Sequence, residues 1–205
     1  MKLALFGYGG HAREVACQID QEVTFFVDEE YANEVAKPIS EFNPEEYLMM
    51  VAVADSKDRA DVVSKLPKET KYFTFIHPSV QIMDDNIEVG EGSFIGAGSI
   101  LTTNIKIGKH ALLNRGNQIG HDCTIGDYFS MMPGAIVGGN VSISNNVYIG
   151  SGSNIREKIK IISNTIIIRS FSIIITNHFL QSVIYFIKPE NSLHTHNVSA
   201  TSYLL

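Results

Sequence analysis

The sequence predicts a two-part chain, a small α/β unit followed by a parallel β-helix of six-residue repeats. Two observations predict it. In residues 1–76, short apolar runs of strand character alternate with stretches of helical period. From Val89 onward, an aliphatic residue or Met recurs at every sixth position.

In the first part, Lys2–Phe6 is a strand and Gly7–Gly10 a tight, glycine-rich turn. A helix is predicted from His11 to about Ile19, with Ala12, Val15, Ala16 and Ile19 on one face. A second strand, Val23–Val27, ends at Asp28, and a Glu-rich loop containing Pro38 follows. The third strand, Tyr47–Ala54, ends at Asp55. Ser56 is placed to cap a helix over Lys57–Leu66, which Pro67 stops. A fourth strand, Tyr72–Ile76, runs into His77-Pro78. This alternation predicts a small Rossmann-like α/β domain over 1–76, a parallel sheet flanked by helices.

The turn Gly7-Tyr8-Gly9-Gly10 has chemical potential. Residues without Cβ let a phosphate approach the backbone, and a helix start at His11 offers free N–H groups. Asp28, at the next strand end, suits a ribose hydroxyl or a base. The full Gly-x-Gly-x-x-Gly fingerprint is absent, so two readings stand side by side. One is a ligand-binding turn; the other is an ordinary glycine turn with a strand-end Asp.

The repeat carries the stronger signal. Stepping by six gives Val89, Ile95, Leu101, Ile107, Leu113, Ile119, Ile125, Met131, Val137, Ile143, Ile149, Ile155, Ile161, Ile167 and Ile173. Glycine follows seven of them, among them Gly120 and Gly138, and small residues such as Ser93, Ser99, Cys123 and Ser153 recur four places on. Each hexapeptide then makes one short strand and one corner. Three of them close a triangular coil of roughly 18 residues, whose aliphatic residues stack inside. The predicted array covers 77–173, and an atypical tail covers 174–205.

Composition narrows the function. The net charge is −6 and no basic stripe forms, which argues against nucleic-acid binding. Cys17 and Cys123 have no partner at metal-ligand spacing and read as two buried thiols of a cytoplasmic protein. The apolar run at the N-terminus is too short for a signal-peptide core. The Ile-rich segment 161–187 is interrupted by Arg169, Asn177, His178 and Gln181, against a membrane span. The expectation is a soluble, cytoplasmic chain that binds neither membrane nor nucleic acid.

One stretch of the array stands out, Ile119-Gly120-His121-Asp122-Cys123-Thr124. His121 lies two positions after an inward residue and should project from the coil. A carboxylate beside an imidazole can orient it as a general base. An exposed turn histidine without chemistry is the competing reading. His110, His178, His194 and His196 have no partners at fixed spacing.

Three motifs carry a family resemblance: Phe-Gly-Tyr-Gly-Gly-His-Ala-Arg-Glu-Val at 6–15, Phe-Ile-His-Pro-Ser-Val at 75–80, and Ile-Gly-His-Asp-Cys-Thr-Ile-Gly-Asp-Tyr at 119–128. In this order they resemble the bacterial sugar O-acyltransferases and nucleotide-linked amino-sugar N-acetyltransferases, including the sialic-acid O-acetyltransferase group. The resemblance implies a left-handed β-helix of hexapeptide repeats, a homotrimer, and acetyl-CoA as co-substrate with no metal. It implies His121 as catalytic base with Asp122 as its acidic partner. It implies Gly9, Gly10 and His11 at the acceptor phosphates, Asp28 and Asp55 at the nucleotide, and Asn114 near the acceptor. Gly138 and Ser151 would line the coenzyme. Ser130 stands where the family often has a second histidine that contacts the acetyl group, and its hydroxyl would keep one hydrogen bond there.

The resemblance ends near Arg169, where the family's glycine-rich turns and final Gly-x-Pro-Ala segment are missing. The expected function is acetyl transfer to the amine of a UDP- or dTDP-linked sugar. The alternatives are O-acetylation of the sialic-acid type, or a non-catalytic β-helix protein with an altered tail.

Overall fold

The computed structural model describes residues 1–168 and, beyond them, the backbone of Phe171–Ser172, Val183–Ile184 and Ile187–Pro189. Its first part contains β1 (Lys2–Phe6), α1 (Gly10–Ala16), β2 (Val23–Val27), β3 (Ala36–Pro38), β4 (Tyr47–Val51), α2 (Ser56–Lys65) and β5 (Lys71–Tyr72). The strands form one parallel sheet in the order β3-β2-β1-β4-β5. Alternation along β1 explains both faces. Ala4 and Phe6 meet Phe26, Met49, Val51 and Leu66, with Val62 and Val63 of α2 packed against them. Leu5 points the other way, to Ala12 and Val15 of α1, Met50 and Ile19.

The elements differ from expectation in four places. α1 ends at Ala16, where Cys17 closes the turn by donating its N–H to Arg13 O, and Ile19 reaches the same core from beyond the helix. β4 stops at Val51 rather than running to Ala54. The Glu-rich loop contains β3, which its Pro38 concealed; β3 is an edge strand, where a missing N–H costs nothing. The predicted strand Tyr72–Ile76 is two strands. Lys71–Tyr72 pairs with β4, whereas Phe75–Ile76 pairs with Phe94–Ile95 of the repeat array.

The array is a parallel β-helix with three flat sides. The first side stacks Gln81–Ile82, Ile100–Leu101, Gln118–Ile119, Ile136–Val137 and Asn154–Ile155. The second stacks Ile87–Val89, Ile105–Ile107, Thr124–Ile125, Ser142–Ile143 and Lys160–Ile161. The third stacks Phe75–Ile76, Phe94–Ile95, Leu112–Leu113, Ser130–Met131, Tyr148–Ile149 and Thr165–Ile167. Partners on a side are one coil apart, as Leu113, Met131, Ile149 and Ile167 are. These inward residues build one continuous core.

The corners share a backbone device. Past the corners at 77–80 and 83–86, one residue in each takes a left-handed conformation: Asn104, Asp122, Asn140 and Lys158 between the first and second sides, and Gly92, His110, Tyr128, Asn146 and Asn164 between the second and third. Between the third and first sides the same place falls to Gly98, Gly116, Gly134 and Gly152. Asn and Gly enter this region at least cost.

The α/β unit docks on the third side, whose outward residues Phe94 and Leu112 are each only 2% exposed. Arg59 of α2 fastens the junction. Its guanidinium donates to the carbonyls of Val53, His110 (2.8 Å), Tyr128 (3.0 Å) and Phe129 (3.0 Å), and to Ser130 Oγ. Arg59 is 1% exposed, and burial lowers its pKa to about 10. Gln18, just past α1, adds a second tie by accepting from Ala97 N at 2.9 Å.

Ile173 and most of the tail 174–205 lie outside the described residues. Within that stretch, Ile187–Pro189 pairs antiparallel with Thr165–Ile167, on the third side. Among the described residues no helix is long and apolar enough to cross a membrane.

Candidate active site

His121 stands in the corner between the first and second sides, just after the inward Ile119. The corner turns its side chain outward, 56% exposed. Its Nδ1 lies 2.8 Å from Asp122 Oδ2. An ionised carboxylate only accepts, so Nδ1 carries the proton and Nε2 of the neutral ring keeps a free lone pair. That is the tautomer a general base needs.

Asp122 is itself held. Its left-handed backbone, at φ 58°, is one that Asp tolerates. Its Oδ1 accepts from Asn104 Nδ2 at 2.6 Å, across one coil. The Asn104 amide, and after it His121, hold the Asp122 carboxyl below the usual carboxylate range. On its other flank the ring lies over Gly139. A Cβ built on Gly139 would meet Nε2, Cε1 and Cδ2 of His121 within 2.5–2.9 Å. Glycine at 139 is therefore the floor on which the imidazole lies. No motif in the sequence marks Asn104 or Gly139. The signal for Asn104 is its place one coil before Asp122.

A second region forms at the carboxyl ends of β1 and β2. Phe6, Gly7, Tyr8, Gly9, Val27, Asp28, Tyr31 and Asn33 line an open cleft of about 350 Å³. The structure thus places Gly9 and Asp28 on one cleft. Gly10 and His11 open α1 beside the cleft. Gly9 caps that helix without a side-chain hydrogen bond, and its first turn holds no acidic residue. His11 is largely buried. Its Nδ1 is 3.8 Å from Glu14 Oε2, and burial lowers its pKa, so the ring is neutral near pH 7.

Two assignments need correction. Ser130 does not face a coenzyme groove. Its Oγ is fully buried at the docking junction, where it donates to Ala54 O at 2.7 Å and accepts from Arg59 at 2.8 Å. Asp55 does not reach the Gly9–Asp28 cleft. It, rather than Ser56, caps α2, accepting from the N–H groups of Lys57 and Asp58. Ser56 is instead buried, with Oγ 3.1 Å from Ser130 Oγ.

The remaining candidates divide between corners. Gly138 is on the His121 corner, one coil on, where a Cβ would meet Glu157 N at 2.7 Å; stacking of coils alone requires glycine there. Asn114 and Ser151 are on the corner between the third and first sides. Asn114 is buried and accepts from its neighbour Arg115 N at 2.7 Å. Ser151 is exposed beside Tyr148, Gly150, Gly152 and Ile168, which line an open cleft of about 560 Å³. One strand of the first side separates these two corners, so a single chain does not gather all of the expected coenzyme and acceptor contacts. Cys123 is buried, donates toward Gly138 O at 3.2 Å and has its pKa raised by burial, so it is no nucleophile, whereas Cys17, expected to be buried as well, is exposed at the end of α1. Among the described residues no cluster of three or more His, Cys, Asp or Glu could hold a metal.

No family model matches the chain, and no curated protein does. Solved structures do. WeeI from Acinetobacter baumannii AYE is 23% identical, with 82% of this chain and 96% of that one covered and a TM-score of 0.67. PerB from Caulobacter crescentus, solved in complex with CoA and GDP-perosamine, is 17% identical over 92% of this chain and 97% of its own, with a TM-score of 0.55. At these identities the likeness establishes a shared fold. The stacked parallel sides fit the left-handed β-helix.

Proposed function

We propose that the chain transfers the acetyl group of acetyl-CoA to the amine of a nucleotide-linked amino-deoxy sugar, with His121 as general base. The observation that carries this reading is the exposed imidazole whose Nδ1 is held by Asp122 at 2.8 Å, leaving Nε2 free. His121 Nε2 takes a proton from the sugar amine as the nitrogen bonds to the thioester carbonyl carbon. The C–S bond then breaks, and the departing sulfur takes that proton back from His121. A backbone N–H near the corner stabilises the transient oxyanion. No covalent enzyme intermediate and no metal take part.

The cleft beside Gly9 and Asp28 supports a nucleotide site. Ligands of parallel α/β sheets bind outside the carboxyl ends of the strands. The uncapped N–H groups at Gly10 and His11 suit a diphosphate, and Asp28 suits a ribose or base. PerB, which shares the fold, is a precedent for CoA together with a nucleotide sugar. The separation of His121 and Gly138 from Asn114 and Ser151 supports a homotrimer in which a corner of one copy meets the next corner of another. We assign the reaction to the cytoplasm, where both substrates occur.

The test is a panel of UDP-, dTDP- and GDP-linked amino sugars and of sialic acids, each incubated with acetyl-CoA. Turnover on an amino sugar, lowered by roughly two to four orders of magnitude in His121→Ala, is expected. Turnover confined to hydroxyl acceptors would make the enzyme an O-acetyltransferase. Failure of the folded chain to bind CoA by calorimetry would make it a non-catalytic β-helix protein. Light scattering that finds a monomer would remove the shared site.

A further inference from the structure

Asp122 has two carboxylate oxygens and two partners. Oδ2 faces the His121 ring at 2.8 Å, and Oδ1 accepts from Asn104 Nδ2 at 2.6 Å. The three side chains form a short chain of charge-assisted hydrogen bonds along one edge of the coil. Asp122 is 45% exposed, so without a second anchor its carboxylate would be free to rotate and to exchange the ring for water. The backbone beneath is paired too, with Asp122 N donating to Thr103 O at 3.1 Å. That bond fixes the corner but not the carboxylate.

We propose that Asn104 is a positioning residue for the base: its amide holds one oxygen of Asp122, so that the other fixes the His121 ring with Nδ1 protonated and Nε2 free. The proposal rests on His121 being the base, and it adds a residue one coil away that bonds to Asp122 rather than to the ring. Asn104 occupies a left-handed corner, φ 51°, and Asn140, Asn146 and Asn164 occupy equivalent corners. Backbone preference alone would therefore explain an asparagine at 104. The amide bond to Asp122 is what preference does not explain, and a glycine variant separates the two roles. Asn104→Gly keeps the left-handed corner without strain and removes only the amide. Asn104→Asp keeps the shape and sets a like charge against Asp122.

Two readouts decide. Nitrogen-15 spectra of the imidazole in the substrate-free protein should show His121 protonated on Nδ1. In Asn104→Gly the spectra should show mixed tautomers. Steady-state kinetics should show kcat lowered about tenfold or more in Asn104→Gly, the scale of a lost hydrogen bond to a charged group, with both KM values within twofold. Asn104→Asp should lose more. In a His121→Ala background, Asn104→Gly should have no further effect, since the two act as a unit. An unchanged tautomer in Asn104→Gly, or an equal fold-loss with and without His121, would overturn the proposal. The spectra need no acceptor. Absence of acetyl transfer in the wild-type chain would therefore count against the proposed reaction, while the tautomer still decides the role of Asn104.

Discussion

Two corners of the coil have the same backbone bend and different surroundings. At the first, Asp122 takes the left-handed conformation, and His121 and Asp122 remain in solvent, bonded to each other and to Asn104. At the second, His110 and Tyr128 take it on successive coils and lie beneath the α/β unit. Their rings stack at 5.3 Å, Tyr72 of β5 meets His110 edge-on, and Arg59 binds the carbonyls of both. That backbone region tolerates His but disfavours a residue as bulky as Tyr128. Tyr128 stands there because the element that covers it rewards the aromatic surface. The β-helix thus offers equivalent corners, and a neighbouring element decides which becomes a joint and which stays exposed to solvent.

The largest effect should come from unmaking the joint. Arg59→Met leaves several buried carbonyls without donors and should cost about 3–5 kcal/mol, the scale for disrupting a buried charged network. Urea denaturation should show a lower midpoint, with the α/β unit unfolding ahead of the coil. A single transition at the wild-type midpoint would mean that the apolar surface of Phe94 and Leu112 suffices.

A smaller, sharper effect is expected at the open corner. Gly139→Val should displace the His121 ring and lower kcat by roughly ten- to a hundredfold, the scale of a misplaced catalytic group. The three atoms nearest to the added Cβ all belong to that ring, so the strain is local. Adding His121→Ala to Gly139→Val should restore thermal stability, read by differential scanning fluorimetry. If the double variant melts as low as Gly139→Val, something other than the ring resists the new side chain.

The smallest effect is a pH dependence confined to the joint. Burial, with the Arg59 charge adding to it, lowers the pKa of His110 to about 4, although Glu91 and Asp127 pull the other way. An unfolded His titrates near 6.5. Between these values the unfolded chain binds the extra proton, so this contribution to stability is present above about pH 6.5 and is lost as pH falls toward 4. Melting temperature should decline from pH 7 to 4.5, and less steeply in His110→Asn, whose side chain suits the same corner. Equal slopes would assign the decline to other groups.

The repeat is legible in the sequence because an 18-residue coil with inward aliphatics admits few arrangements, and the observed sides stack the residues that the sixfold step names. His121 with Asp122 is legible because neighbours in a corner must share it. Asn104 and Gly139 are adjacent to them only across coils, and a motif read along the chain does not see that direction. Arg59 is hidden differently. It occupies the same helical stripe as Val62, Val63 and Leu66, and a charge in an apolar stripe marks a buried contact. Ser130 misleads because its docking role shows only in the apolar outward positions Leu112 and Phe94 on the same side, one and two coils before it. The cleft at Gly9 and Asp28 is legible from two strand ends, whereas Asp55, at a third, is claimed by its own helix.

The bond between Asn104 and Asp122 spans 18 residues of sequence and a single layer of structure. This makes the distance along the gene part of the site. A deletion of six codons between the two positions would keep a well-formed aliphatic interior yet move Asn104 to a different edge of the prism. Length changes that are not a multiple of six would break the register of inward residues in every later coil. Length variation compatible with the dyad is thereby restricted to loops bulging from a corner or to whole coils added outside positions 104–139. Point substitutions should therefore be tolerated across much of this surface, while insertions and deletions within that window should survive only as loops bulging from a corner.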